Sequence, residues 1–466
     1  MLYDHRGWAG TFDPNSSVNN MNATLLRCSI IAALGGLLFG FDTAVISGTT
    51  DHLREVFDLE GFGLGFTVAS ALIGTILGAL FAGYPADWFG RRSTLIWIAF
   101  LYFVSAVGSA AAWDWYSFLV FRWLGGLGVG ASSVVAPMYI SEISPPNYRG
   151  RLVAITQFNI VLGILVAYMS NYGVAQMNHG AAEWRVMFGV EALPAAVFFA
   201  LMFGTPRSPR WLVAKGRSDA AAAVLRMVGA KDVSRELSAI EDSLAETAGR
   251  ATEPLFQKKY SRPVTLAVAI ATFNQLSGIN ALMYYAPHIF RMAGAGTDSS
   301  LAQAVVVGCT NLVFTMAALL AIDKFGRRKL MVAGSIGYIV SLAATAAAFY
   351  TFGTDFSPAG GMVVLASLMV FIASHAFGQG AVIWVYLSEI FPNRVRARGQ
   401  ALGSFTHWVF AALISWTFPV IADISGGHTF AFYSSMMVLQ LIWVLKVMPE
   451  TKGVPLEEIQ KRLSGR

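Results

Sequence analysis

Apolar runs of about twenty residues, each closed by a short polar break, recur along this chain from end to end. Their length and continuity place spans at 25–48, 62–84, 94–112, 117–139, 152–174 and 186–204. After a polar interval, six more follow at 263–291, 301–322, 329–352, 359–387, 398–421 and 429–447. Lipid admits only helices or closed barrels, and these runs are too long and unbroken for barrel strands. The pattern therefore predicts an all-α membrane protein of twelve transmembrane helices. The expected organisation is an N-terminal six-helix bundle over 1–204, a cytoplasmic helical linker over 205–262, and a C-terminal six-helix bundle with a short cytoplasmic tail over 263–466. Stretches 218–228 and 234–247 of the linker suit short polar helices, read here as a solvated connector with no ligand.

Composition sharpens this picture. Of 466 residues, 55% are hydrophobic and 13% charged, whereas a soluble domain carries about a quarter charged residues. The net charge of +6 does not point to nucleic acid, because the basic residues sit in loops between apolar runs. The loops bearing Arg91 and Arg92, Arg149 and Arg151, Lys324 to Lys329, and Arg394 to Arg398 alternate with loops bearing Asp114, Asp355 and Asp423. Basic loops face the cytoplasm, so both termini are expected inside and the sequons at Asn15 and Asn22 carry no meaning. The stretch before the first span has no signal-peptide layout. Cys28 and Cys309 both lie in apolar runs, which implies neither a disulfide framework nor a metal site. The seven histidines are scattered, and the chain contains no nucleophile elbow, metal-binding histidine pair or phosphate loop. An enzyme is excluded on that ground, and no cofactor is expected.

The two groups of six repeat each other. Ser141-Glu142-Ile143-Ser144-Pro145 returns as Ser388-Glu389-Ile390-Phe391-Pro392, each followed by an arginine, Arg149 or Arg396, seven residues after the glutamate. Asp87-Trp88-Phe89-Gly90-Arg91-Arg92 returns as Asp323-Lys324-Phe325-Gly326-Arg327-Arg328. Six is even, so the halves share one orientation and form a parallel repeat. That symmetry is a transporter architecture with a substrate site between the halves near the midplane.

At this point the chain resembles a family. Gly83-Tyr84-Pro85-Ala86-Asp87-Trp88-Phe89-Gly90-Arg91-Arg92 is similar to the cytoplasmic loop motif of the major facilitator superfamily. Pro449-Glu450-Thr451-Lys452-Gly453 resembles the terminal signature of its sugar porter branch, and Gln275-Leu276-Ser277-Gly278-Ile279-Asn280, with Tyr284 and Tyr285, its seventh-helix sugar motif. Gly40-Phe41-Asp42-Thr43-Ala44-Val45-Ile46-Ser47-Gly48 and Ser415-Trp416-Thr417-Phe418-Pro419 resemble the bacterial D-xylose–proton symporters of that branch. The resemblance implies a monomeric carrier of a pentose or hexose, such as D-xylose or D-glucose, driven by protons across a bacterial inner membrane.

Ionisable side chains within spans are costly and call for a function. Asp42, Arg122 and Glu191 are the three that stand out. A guanidinium favours the charged carboxylate and burial favours the neutral one, so such a pair can load and release a proton. On the residues alone, that reading and a permanent salt bridge stand level; the resemblance favours proton coupling by Asp42 and Arg122. Glu191 either tunes the pair or satisfies Arg122. Asp42 also argues against a facilitative uniporter of the same fold, and the short tail against a sugar sensor.

Sugar hydroxyls donate and accept, as amides do, while the ring's C–H face lies on aromatic planes. Gln157, Asn274, Gln275, Asn280, Asn311, Gln379, Trp384, His407 and Trp408 are the candidate sugar contacts. Interhelical polar glue is the blander reading, and motif position in the family favours sugar for Gln157, Gln275, Asn280, Asn311 and Trp384. Asn274 and His407 replace the usual longer amide and amide, and His407 reads equally as a sugar contact, a titrating group or a packing histidine. Ile164 is apolar where some xylose carriers are polar, and Ala411 stands where asparagine is frequent. Gly380-Ala381 replaces Gly-Pro, which predicts a softer break in the tenth span, and Arg207 replaces a glutamate. Asp87, Arg91, Arg92, Glu142 and Arg149 mirror Asp323, Arg327, Arg328, Glu389 and Arg396, and are expected to act as a cytoplasmic gate that pairs across the halves when the inside is shut.

Overall fold

The computed structural model describes residues 22–248, 253–353, 355–392, 394–454, 458, 459 and 463, so the sequon at Asn15 and the side chain of Asp323 fall outside the described set. Among the described residues every regular element is a helix. Twelve segments are long and apolar enough to cross a membrane: spans 1–6 are Ala23–Gly48, Gly61–Phe81, Arg91–Ala110, Trp115–Ile143, Asn147–Ala175 and Gly180–Met202. Spans 7–12 are Lys258–Met292, Thr297–Ile322, Arg327–Phe352, Pro358–Glu389, Arg396–Ile424 and Gly426–Lys446. Each falls on one of the twelve apolar runs. Their outer sides carry bare aliphatic residues, with Leu320 84% and Ile424 81% exposed, a surface that only lipid makes favourable.

Polar residues in the breaks start the helices. Asn22 caps span 1 by accepting from the Thr24 amide at 2.8 Å, and Asp114 with Ser117 forms a reciprocal capping box at span 4. Ser357 and Ser425 cap spans 10 and 12. Inside the first half, span 2 packs on span 4, span 1 on span 5 and span 3 on span 4; inside the second, span 9 packs on spans 10 and 12, and span 7 on span 11. The halves meet chiefly where span 2 crosses span 11 and span 5 crosses span 8. These two crossings exchange under the repeat, as a two-fold axis along the membrane normal requires.

The repeat extends to atomic detail on the face that carries the basic loops. Gly90 and Gly326 share φ values of 90° and 91°. Arg91 reaches Glu142 at 3.0 Å as Arg327 reaches Glu389 at 2.8 Å, and Ser208 and Thr451 donate to the same two glutamates at 2.5 and 2.6 Å. One difference marks the halves. Glu450 accepts from the amides of Arg327 and Arg328, both at 3.0 Å, while Arg207, its counterpart, lies over the Trp211 ring at 5.1 Å.

Three spans are interrupted. Span 6 breaks at Glu191. Span 7 breaks at Gly278, whose φ of 84° is open to glycine and costly for other residues. Span 10 breaks at Gly378, with φ −97° and ψ −101°; the break is therefore kept without the proline, one position before Gln379.

Contacts between halves cluster on the face opposite the basic loops. Gly65 of span 2 approaches span 11 so closely that an added Cβ would stand 1.9 Å from the Trp416 carbonyl oxygen. Arg54, on the short helix Thr50–Val56 after span 1, pairs with Asp423 of span 11 at 3.0 Å, and Asp51 on the same helix pairs with Arg291 of span 7. That face is shut. On the basic face, the polar interval forms helices Pro209–Ala214, Ser218–Met227 and Val233–Ala248. They dock on the first half, where Trp211 Nε1 donates to the Asp87 carbonyl at 3.0 Å. Past them, Glu253 pairs with Lys259 at 2.8 Å and with Tyr260, which draws its carboxyl down to about 2, and accepts from Arg394 at 3.3 Å.

Gly278→Val is expected to lower thermal stability by at least about 1–2 kcal/mol, the cost of a left-handed backbone. The Tyr433 ring, 2.7 Å from the new Cβ, adds to it. A melt of the purified protein in detergent checks this; an unchanged midpoint would show that the break tolerates side chains.

Candidate functional site

Two polar centres lie within the bundle. The first is in the N-terminal half. Asp42 on span 1 and Arg122 on span 4 are 2% and 1% exposed. Arg122 Nη1 reaches Asp42 Oδ1 at 2.5 Å, and Nη2 reaches Oδ2 at 3.4 Å and the Asp42 carbonyl at 3.3 Å. Gly125, nearly one turn after Arg122, lets span 3 approach: an added Cβ would stand 2.4 Å from Ser105 Oγ, but at ordinary contact distance from Asp42 Oδ1. The guanidinium lies 5.3 Å from the Phe188 ring centroid on span 6. Glu191, at the break in span 6, sits in the electrostatic reach of both partners. Its Oε1 is buried with no hydrogen-bond partner, and so is Arg122 Nε. A buried acceptor and a buried donor left open beside a closed pair give the guanidinium a second place to go.

The second centre lies in the C-terminal half, around the break in span 7. Asn274 and Gln275 close its first helix, and Asn280 opens the next. Gln275 Nε2 donates to Asn274 Oδ1 at 2.9 Å, and Asn280 Nδ2 donates to Gln275 Oε1 at 2.9 Å. The His407 ring of span 11 lies 3.2 Å from Gln275 Nε2 through its Nδ1. Trp384, past the break in span 10, is 39% exposed, and its ring stands 5.1 Å from that of His407. His407 meets Trp408 edge-on at 4.9 Å, and Trp408 meets Phe39 of span 1 at 5.7 Å. A row of amides thus stands beside an aromatic wall that reaches into the other half. Such a surface can match a ring of hydroxyls on one side and its C–H face on the other.

The remaining candidates lie on other spans or have other partners. Gln157 is half-buried on span 5, and Asn311 is buried on span 8, where it accepts weakly from Thr315 at 3.4 Å. Spans 5 and 8 cross where Gly308 meets Leu165 and Tyr168. Gln379 is held elsewhere: its Nε2 donates to Gln440 Oε1 at 2.5 Å and its Oε1 accepts from Tyr338 at 3.3 Å. Tyr338 also contacts His375 Nδ1 at 2.6 Å, and Gln440 donates to Ser335 at 2.8 Å. Both ends of the Gln379 amide therefore fasten the span 10 break to spans 9 and 12. Tyr284 of the seventh-span motif, which the sequence placed with the sugar, lies four residues after Asn280, beside Thr43 and within electrostatic reach of Asp42.

The paired charges of the basic face stay within their own halves. Arg91 bonds Asp87 at 2.9 Å and Glu142 at 3.0 Å. Arg92 donates to the Phe203 carbonyl at 2.7 Å, and Arg328 to those of Val444, at 3.1 Å, and Leu445. Arg149 donates to Ser141 at 3.0 Å and Arg396 to Phe391 at 3.2 Å, again within one half.

Arg122→Leu alone is expected to destabilise the protein by about 3–5 kcal/mol, since it strands a buried carboxylate. Asp42→Leu combined with Arg122→Leu is expected to cost less than Arg122→Leu alone. A comparison of the melting midpoints checks the order; a double variant less stable than the single would remove the ion pair from this account.

Comparisons with known proteins bear on the family and the fold. The family model described as sugar (and other) transporter matches residues 28–463. The D-xylose-proton symporter of Escherichia coli (strain K12) is 38% identical over 474 residues, covering 94% of this chain and 95% of its own. The glucose transport protein of a Synechocystis species is 35% identical over 463 residues, covering 96% of this chain and 99% of its own. A solved structure of the xylose transporter from Escherichia coli in its inward-open conformation superposes with a TM-score of 0.84 at 36% identity, covering 94% of this chain and 100% of that one.

Proposed function

We propose that this chain, which belongs to the sugar porter family of the major facilitator superfamily, is a proton-coupled monosaccharide symporter working by alternating access. It is a multi-pass membrane protein and a carrier, not an enzyme. The observation that carries the coupled reading is the buried Asp42–Arg122 pair with an open carboxylate oxygen on Glu191 beside it. A proton on Asp42 cancels its hold on the guanidinium, and Arg122 then turns toward Glu191. The shift alters packing among spans 1, 4 and 6. Tyr284 ties that event to the helix that carries Asn280.

Gln157, Asn274, Gln275, Asn280 and Asn311 bind the sugar hydroxyls in this reading, and Trp384, His407 and Trp408 face its ring. Gln379 supports the break that positions Trp384. The basic loops place their face in the cytoplasm, with both termini there. The shut face is then outward, so this conformation is open to the inside. Asp87, Arg91, Arg92, Glu142 and Arg149 form the inner gate with Asp323, Arg327, Arg328, Glu389 and Arg396, and pair across the halves once the inside closes. The carrier works as a monomer.

Uptake into proteoliposomes, with pentoses and hexoses and an inward proton gradient, tests the function. Accumulation above equilibrium that a protonophore collapses is expected, and equilibration that ignores the gradient would make the carrier a uniporter. Asp42→Asn is expected to lose accumulation while keeping sugar binding; loss of binding would make Asp42 a sugar ligand or a structural anchor. Gln275→Ala is expected to weaken binding by about 1–3 kcal/mol, roughly five- to 150-fold in Kd, because hydroxyls lose their partner. Titration calorimetry reads it, and unchanged affinity would move the sugar elsewhere.

A further inference from the structure

The shut face holds charges that neither polar centre uses. Asp51, in the first half, accepts from Arg291 of span 7, and its Oδ1 lies 3.6 Å from Nδ1 of His288 on the same span. His288 and Arg291 are three residues apart on one helix and so share a face. The His288 side chain is 14% exposed, and its other ring nitrogen, Nε2, is buried with no hydrogen-bond partner. Burial raises the Asp51 carboxyl, but His288 and Arg291 outweigh it and hold the group below its ordinary value. Asp51 is therefore an anion throughout the neutral range.

The other charged and titratable groups around this cluster are accounted for. Arg54, one turn beyond Asp51, is paired with Asp423 of span 11 and lies within reach of Tyr285. Span 8 brings Asp298 in its first turn, and Ser300, which accepts from Arg291 at 3.2 Å. Span 1 brings Asp42, held by Arg122, and span 10 brings His375, held by Tyr338. His52, beside Asp51 in sequence, faces Glu183 of its own half at 3.9 Å.

We propose that Asp51, His288 and Arg291 form a second proton-binding site, separate from Asp42, whose occupation latches the two halves shut on the outward face. The proposal rests on the symport reading for the sidedness of that face. The sign follows from which charges belong to which half. Repulsion between a protonated His288 and Arg291 acts inside one half in both conformations. Asp51 relieves it only when the halves meet. An imidazolium here meets its counter-charge from the other half only when the halves are together, so acid shifts the carrier toward closure. Arg291 alone holds the contact when the proton leaves.

Spin labels at Val56→Cys and Ser299→Cys, one in each half on the outward face, test this in a Cys309→Ser, Asp42→Asn protein. Asp42→Asn removes the first proton site, and the distance measurement needs no transport, so a carrier that proves to be a uniporter still reports on the latch. Lowering the pH from 8 to 5.5 is expected to raise the ratio of short to long distances severalfold, up to about tenfold for each unit of difference in proton affinity between the two conformations. His288→Gln is expected to abolish the response, and His288→Arg to hold the short distance at both pH values. His52→Gln is expected to leave the response in place. No response in the parent, a response that survives His288→Gln, or one lost equally in His52→Gln would each overturn the proposal.

Discussion

A charge buried without a partner in a lipid-enclosed helix bundle costs more than most single contacts can supply. The organisation of the N-terminal half answers that constraint. Span 1 brings Asp42 to Arg122 of span 4, and an aromatic ring from span 6 covers the guanidinium. The same constraint makes the site responsive. In the proposed reading, neutralising Asp42 frees Arg122 to turn toward Glu191, and a single proton reorders three helices.

The C-terminal half solves a different problem. A polyol needs many weak, directional contacts, and a continuous helix hides its backbone and spaces its side chains too regularly to offer them. Breaks at Gly278 and Gly378 bring Gln275, Asn280 and Trp384 toward a common region. The network of Gln379, Gln440 and Tyr338 pins one of those breaks. In the proposed reading one half handles charge and the other handles shape, with Tyr284 and the Phe39–Trp408 contact between them.

Much of this was legible in the chain. The twelve spans could be read because lipid enforces their length, and Asp42 and Arg122 because an ion inside a span is conspicuous. The partners of Gln379 could not be read: an amide finds its mate across 61 positions through packing that no local pattern records. Tyr284 was legible as part of a sugar motif, but its place beside Thr43 and Asp42 was not, because that depends on how span 7 packs on span 1. Asp51 and His288 border their spans, where charges ordinarily serve only to mark topology. Arg91 pairs with Glu142 and Arg327 with Glu389, each within its own half, and a sequence lists charges without saying which acid each base will meet.

The interval between the halves is fastened at both ends. Its first helices are bound to the N-terminal half through Trp211 and Asp87, and Glu253, beyond the last of them, is bound to Arg394 and Arg398 of the C-terminal half. The basic face thus carries polar ties from this interval to both halves, and any separation of the halves there draws on those contacts as well as on the covalent chain.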